Sequence, residues 1–251
     1  MPNELVHYAA TNGVGTITLD SPHNRNALST ELMRQLLAVL DAAGADHTVR
    51  VVVLGHAGPV FCSGMDLRES GGRQAAEMPV QAFPLVMQTI WESPKPVIAR
   101  VGGPARAGGI GLLASCDIAV TTPEATFAFS EVRLGLVPAV ITPAVLTRVP
   151  LPVVRELYLT GETFDGTRAA AIGLANAAVD DVDAEVARYA DLLRRGGPSA
   201  LAGIKRLLHQ PPGVAELADV VGISAQFFAA EEGQEGMAAF REKRPPRWVS
   251  G

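Results

Sequence analysis

The sequence predicts an α/β fold whose last third is helical. Three observations lead there. Short, wholly apolar runs such as "RVVVLGH" and "KPVIARV" have the length and continuity of strands buried on both faces. Segments with helical periodicity separate them. Beyond Pro138 nearly every segment reads as helix, with prolines or glycines at most of the joints.

The elements follow in order. Residues 4–10 and 14–20 pair as a hairpin about Asn12-Gly13, with "VGTITL" alternating as a strand should. Ser29 or Thr30 offers an N-cap and Glu31 favours a first turn. Leu32, Leu36, Val39 and Leu40 then make a helical stripe to about Ala43. "RVVVLGH" is a strand, "AGPVFCSGMDL" a loop and residues 80–92 a helix. "KPVIARV" is a second buried strand ending at Gly102-Gly103; "CDIAVTT" and "ATFAFSEV" are a third and a fourth. Helices are expected near 141–149, 152–160, 165–172, 183–195, 198–209 and 214–240.

Composition narrows the function. A chain of 251 residues suits one large domain, or a domain with an appendage. The net charge is −5, and the dense basic run is confined to "REKRPPR", Arg241 to Arg247, so nucleic acid is not an expected partner. The first residues lack the pattern of a secretion signal, and no apolar run has the length of a bilayer. The expectation is a cytoplasmic protein without a membrane partner. Two cysteines, Cys62 and Cys116, support neither a disulfide framework nor a metal site.

The stretch "ARAGGIGLLASCDIAV", Ala105 to Val120, carries the chemistry question. "GIGLLA" fits a dinucleotide fingerprint, but "GGPARA" separates it from the preceding strand, and only about two helical turns follow. No phosphate loop ending in Lys-Ser or Lys-Thr exists. Two readings remain. The small residues can serve close packing of a buried helix. Alternatively they expose the free N–H groups of a helix start to developing negative charge, as an oxyanion hole does. A second donor would then be needed, and "FCSGMDL", 61–67, has a suitable strand end followed by a glycine.

Together, "FCSGMDL", "KPVIARVGGPARAGGIGLLASCDIAV" and "FAFSEVRLGLVP" resemble the enoyl-CoA hydratase/isomerase superfamily, also called the crotonase family. "LYLTGETFDGTRAAAIGLANAAV" and "FREKRPPRW" extend the likeness over nearly the whole chain, in family order. The wording is nearest to the bacterial methylglutaconyl-CoA hydratase-like branch. The resemblance implies a crotonase-like spiral of stacked ββα turns over residues 1–190. It implies a C-terminal helical trimerisation region over 191–251, with trimers that often pair into hexamers. It implies acyl-CoA thioester substrates and no separate cofactor, coenzyme A being part of the substrate.

The implied site follows by motif position. The amides of Met65 and Gly108 hold the thioester oxygen. Arg25, Val60 and Phe61 contact coenzyme A, and Lys243 or Arg244 reaches a neighbouring subunit's nucleotide. Family hydratases typically carry two glutamates; the second is Glu131, and the first falls on Gly111. One carboxylate suits proton shuttling between C2 and C4, which favours a Δ3-Δ2-enoyl-CoA isomerase. It can also orient a water and deliver that water's own proton, which keeps a hydratase in place. The expected function is an enoyl-CoA hydratase-type lyase, with the isomerase and a non-catalytic acyl-CoA-binding protein as alternatives. Burial between "ATFAF" and an apolar loop should raise the pKa of Glu131. Asp117 is expected to be structural and Asp66 to brace its loop. Ser130 is expected to bond backbone. Cys62 and Cys116 are expected to be buried fillers, and no histidine is assigned a role. Residues 69–88 are expected to form a lid.

Overall fold

The computed structural model describes residues 4–69, 82–209 and 217–249. Strands β1 (Val6–Thr11) and β2 (Val14–Leu19) form the expected hairpin. Its turn residues Asn12 and Gly13 both take positive φ, 51° and 77°, the condition for the tight hairpin turn that Asn-Gly favours. Helix α1 (Thr30–Ala45) starts at Ser29, whose hydroxyl accepts the Leu32 N–H at 3.2 Å. It buries Leu32, Met33, Leu36 and Leu40.

Strands β3 (Val51–His56), β4 (Val97–Val101), β6 (Ile118–Thr121) and β9 (Ala177–Ala178) extend the hairpin into a six-stranded sheet of order β1-β2-β3-β4-β6-β9, parallel from β2 onward. The reason β3 is apolar throughout is visible. Val52 and Leu54 enter the main core with α1 and with α2 (Phe83–Glu92). Val51 and Val53 enter a second cluster on the other face, against Val182, Val186 and Ala190 of α7 (Val182–Arg194). A smaller sheet, β5 (Ala105–Arg106), β7 (Thr126–Ala128) and β8 (Phe164–Asp165), stands beside α3 (Gly108–Ser115). Helices α4 (Thr142–Leu146), α5 (Leu151–Thr160) and α6 (Gly166–Ala171) complete the core side.

The expected 190/191 boundary falls inside α7. Beyond it lie α8 (Pro198–His209), α9 (Leu217–Ala229) and α10 (Glu231–Glu242). The single helix expected over 214–240 is broken at Ala230, whose backbone is extended. Gly233 permits the break: a side chain there would collide with the Phe227 carbonyl, so α10 turns back closely over the end of α9. Gln234 donates to Phe228 O at 2.8 Å across the joint. The tail folds onto its own chain, with Trp248 Nε1 donating to Arg195 O and Arg50 donating to Trp248 O, each at 3.0 Å.

Asp117 is structural, as expected. Its carboxylate accepts the Val97 N–H at 2.7 Å and the buried Lys205 ammonium at 2.6 Å, joining α8 to the sheet. Removing one member of such a pair strands the other charge out of water. Asp117→Ala is expected to cost about 3 kcal/mol in urea unfolding, and more than Lys205→Met, which leaves the Val97 bond in place.

Candidate active site

The site is built where two short parallel strands end side by side. Ala105 and Arg106 of β5 pair with Phe127 and Ala128 of β7. The Ala107 N–H then donates to Ala128 O at 3.2 Å. One residue further along the first chain α3 begins at Gly108; three residues further along the second stands Glu131. The small sheet therefore brings the helix start and the carboxylate to one end.

The third component is the loop at 61–66. Phe61 N–H donates to Pro104 O at 3.0 Å and Arg106 N–H to Cys62 O at 3.0 Å, which lays this loop along β5. On its other side Leu28 N–H donates to Gly64 O at 2.8 Å and Asp66 N–H to Leu28 O at 3.3 Å. These two bonds straddle Met65, so its own N–H faces away from Leu28. Gly64, at φ 89°, packs against the start of α3: a Cβ there would stand 3.0 Å from Ala107 Cβ and 3.6 Å from Gly108 N. Among the described residues neither the Met65 nor the Gly108 amide has an acceptor.

Ala107 takes φ 50° and ψ −116°, a conformation that costs a non-glycine residue about 1–3 kcal/mol. The strain turns the chain from β5 into α3 in one residue. The other end of α3 is neutralised by Arg148, which donates to Ala114 O at 3.1 Å and to Cys116 O. Cation at the C-terminus and bare N–H groups at the N-terminus leave the positive end of the helix as the end available to an anion.

Glu131 is the second residue of a 3₁₀ turn over Ser130–Leu134. Its Oε2 is buried and, among the described residues, has no hydrogen-bond partner. Burial pushes its pKa above the ordinary 4.5, against the opposing effect of its own backbone N–H. Tyr158, on α5, lies within the field of Glu131. Burial first, and then the Glu131 charge, raise the phenol pKa, while a hydrogen bond with Thr142 at 3.3 Å opposes them. Sequence reading missed Tyr158 because only tertiary packing brings α5 to this turn.

The other expected residues divide. Arg25 is exposed in a left-handed backbone conformation (φ 59°), and its guanidinium has no partner among the described residues. It lines a cavity of about 340 Å³ together with His23, Met65 and Arg68, so the structure brings Arg25 and Met65 to one opening. Val60 is half-buried, and its carbonyl accepts from Asn26 Nδ2 at 2.8 Å. Phe61 needs correction: its side chain is fully buried in the core, edge-on to His56, and offers no surface to coenzyme A. Phe61 precedes a turn that must pack, and that demand takes its ring inward. Lys243 is exposed at the left-handed C-cap of α10 (φ 53°), whereas Arg244 is engaged by Glu235 and Glu242.

Asp66 braces its loop, accepting from the Arg68 backbone and guanidinium and from Asn24; these bonds hold it at a pKa of about 2. Asn26, also missed, is buried at φ 53° and ties residues 21, 57 and 60 together. Cys62 and Cys116 are buried, and burial pushes both thiols up to about 12. Of the expected lid at 69–88, residues 70–81 lie outside the described residues.

A family described as enoyl-CoA hydratase/isomerase matches residues 9–251. The chain belongs to this family. A solved enoyl-CoA hydratase from Mycobacterium smegmatis superposes with a TM-score of 0.91 at 32% identity, covering 98% of this chain and 99% of the other. The fold is thus the crotonase spiral. Human enoyl-CoA hydratase domain-containing protein 3 is 33% identical over 94% of this chain and 80% of its own length. Mouse methylglutaconyl-CoA hydratase is 30% identical over 94% and 79%. The resemblance to the methylglutaconyl branch is therefore no stronger than that to other members.

The raised pKa of Glu131 fixes the sign of a pH effect. Its folded value lies above the unfolded one, so its contribution to stability is full below about 4.5 and is lost as pH rises through the folded value. Glu131→Gln is expected to gain stability relative to the parent chain as pH climbs from acid to neutral, in paired urea titrations. A difference that is flat with pH would contradict a desolvated carboxylate.

Proposed function

We propose that the chain is an enoyl-CoA hydratase-type lyase that adds water to a 2-enoyl-CoA thioester. The observation that supports this reading is the buried Glu131 oxygen, unpartnered among the described residues, at the end of the small sheet that also presents the Gly108 amide. The Met65 and Gly108 N–H groups accept the charge that develops on the thioester oxygen as an enolate forms. Glu131, its pKa lifted by burial, takes a proton from water as the oxygen attacks C3. The same carboxyl returns that proton to C2, so water is added whole.

A second reading keeps the same groups. Among the described residues α3 carries no ionisable side chain, and Gly111 stands where family hydratases often have a glutamate. With one carboxylate, moving a proton between C2 and C4 of a 3-enoyl-CoA is the simpler task. That favours the isomerase alternative.

The substrate's phosphates are assigned to Arg25, and to Lys243 of a neighbouring copy. The proposed assembly is a homotrimer or a dimer of trimers, built through the helical region 191–251. Within that region Leu208, Val221, Phe228 and Phe240 are 65%, 66%, 62% and 86% exposed, which suits burial against a second copy.

Product analysis by mass spectrometry tests the reading. A 2-enoyl-CoA is expected to give a water adduct. A shifted double bond from a 3-enoyl-CoA, with no adduct from the first substrate, would make the protein an isomerase. No reaction with either, across several chain lengths, would overturn both enzymatic readings and favour a binding protein or a different thioester chemistry. Glu131→Gln is expected to lower kcat by about 10²–10⁴-fold while acyl-CoA binding stays within a few-fold.

A further inference from the structure

We propose that Ile141 determines the reaction specificity of the site by filling the space above Gly111, so that Glu131 works as a single proton carrier. The inference rests on the hydratase/isomerase reading for its chemistry, but its packing stands by itself.

Gly111 lies in the first turn of α3, three residues after the Gly108 amide, and is completely enclosed. A Cβ there would overlap Ile141 Cγ2, stand 3.1 Å from Ile141 Cβ and 3.3 Å from Phe83 Cε1. Ile141 and Phe83 are only 3% and 1% exposed, so neither can move aside into solvent. Ile141 is β-branched, and the atom in the way sits on the branch itself rather than at the far end of a flexible chain. Its backbone is also fixed. The Val145 N–H donates to Ile141 O at 3.0 Å, Thr142 N–H to Ala139 O at 3.3 Å, and Thr142 Oγ1 to Pro138 O at 2.7 Å.

The source of the plug gives it functional meaning. Ile141 ends the segment that begins at Glu131, so one stretch of chain supplies both the carboxylate and the hydrocarbon packed on Gly111. The residues of α3, "GGIGLLAS", supply no titratable group. At Gly109 a side chain is barred by the Cys62 backbone, whereas at Gly111 the obstacle is a side chain, Ile141. Glycine at 111 and isoleucine at 141 are thus a size-matched pair. Changing either alone leaves an overlap or a void.

A double-mutant cycle tests the pair on the intact chain. Gly111→Ala alone is expected to lower the melting temperature by about 3–8 °C, the shift for an overpacked core site in a chain of this size. In the Ile141→Ala background the same change is expected to cost less than half as much. An unchanged melting temperature for Gly111→Ala, or equal losses in both backgrounds, would overturn the packing. The chemical arm compares Gly111→Glu with Gly111→Glu/Ile141→Ala on a straight-chain 2-enoyl-CoA. Water addition is expected at least tenfold faster in the double variant. Equal rates, with the melting cycle as expected, would overturn the role in specificity while leaving the plug. If the unmodified chain turns over neither a 2-enoyl- nor a 3-enoyl-CoA, the functional reading fails and takes the specificity role with it. The melting cycle would still report the packing, so the two failures are distinguishable.

Discussion

The close approach of two backbones, the 61–66 loop and the start of α3, is the constraint on which the rest of the site depends. A Cβ at Gly109 would stand 2.5 Å from Cys62 O, and one at Gly108 2.7 Å from Leu28 Cδ1. At 109 the obstacle is backbone, so only glycine fits there; at 108 a side chain would have to displace the end of Leu28. The contact sets the Met65 loop against the first turn of α3, and it is reinforced from behind by the Leu28 bridge and the β5 pairing. Larger features serve it. The six-stranded sheet supports β4, from which the chain passes through Gly102-Gly103 to β5; a Cβ at Gly103 would in turn strike Pro59 O. The main core holds α3 by burying all eight of its residues.

Charge follows the same geometry. A short buried helix with Arg148 on its terminal carbonyls has its negative end satisfied within the protein. Among the described residues nothing accepts from the Gly108 amide at its positive end, which leaves that end open to an anion. Glu131 lies at the same end of the small sheet with Oε2 buried, and that burial makes its charge costly to form in the resting chain. A site that resists a standing negative charge on its carboxyl while offering N–H groups to a passing one is suited to an enolate intermediate. The strained Ala107 belongs to this arrangement, since a relaxed residue would not turn from strand to helix in one step.

Much of this was legible in the sequence where a local rule decides the structure. Asn12-Gly13 announced the hairpin, Ser29 the start of α1, and the unbroken valines of β3 a strand buried on both faces. The glycine cluster marked the start of α3, and the family resemblance supplied the expectation for the Met65 and Gly108 amides and for Glu131. What escaped was decided by packing between distant segments. Strands β5, β8 and β9 have two residues each, too few to show a period. The conformation of Ala107 is imposed from outside, since alanine does not prefer it. Ile141 over Gly111, Tyr158 near Glu131 and Arg148 at the end of α3 are contacts between elements. The break at Ala230 depends on α10 folding back, and the burial of Phe61 depends on the core beneath its loop.

The central claim is that the Met65 and Gly108 amides jointly polarise a thioester carbonyl. The direct measurement is the infrared difference spectrum of a carbonyl-labelled (carbon-13) acyl-CoA bound to the Glu131→Gln protein, in which turnover is expected to be slowed and binding kept. The account predicts a carbonyl stretch shifted below its frequency in water, because two aligned donors in a dry site withdraw more electron density than solvent does. A bound ligand whose carbonyl absorbs at or above the aqueous frequency would contradict it.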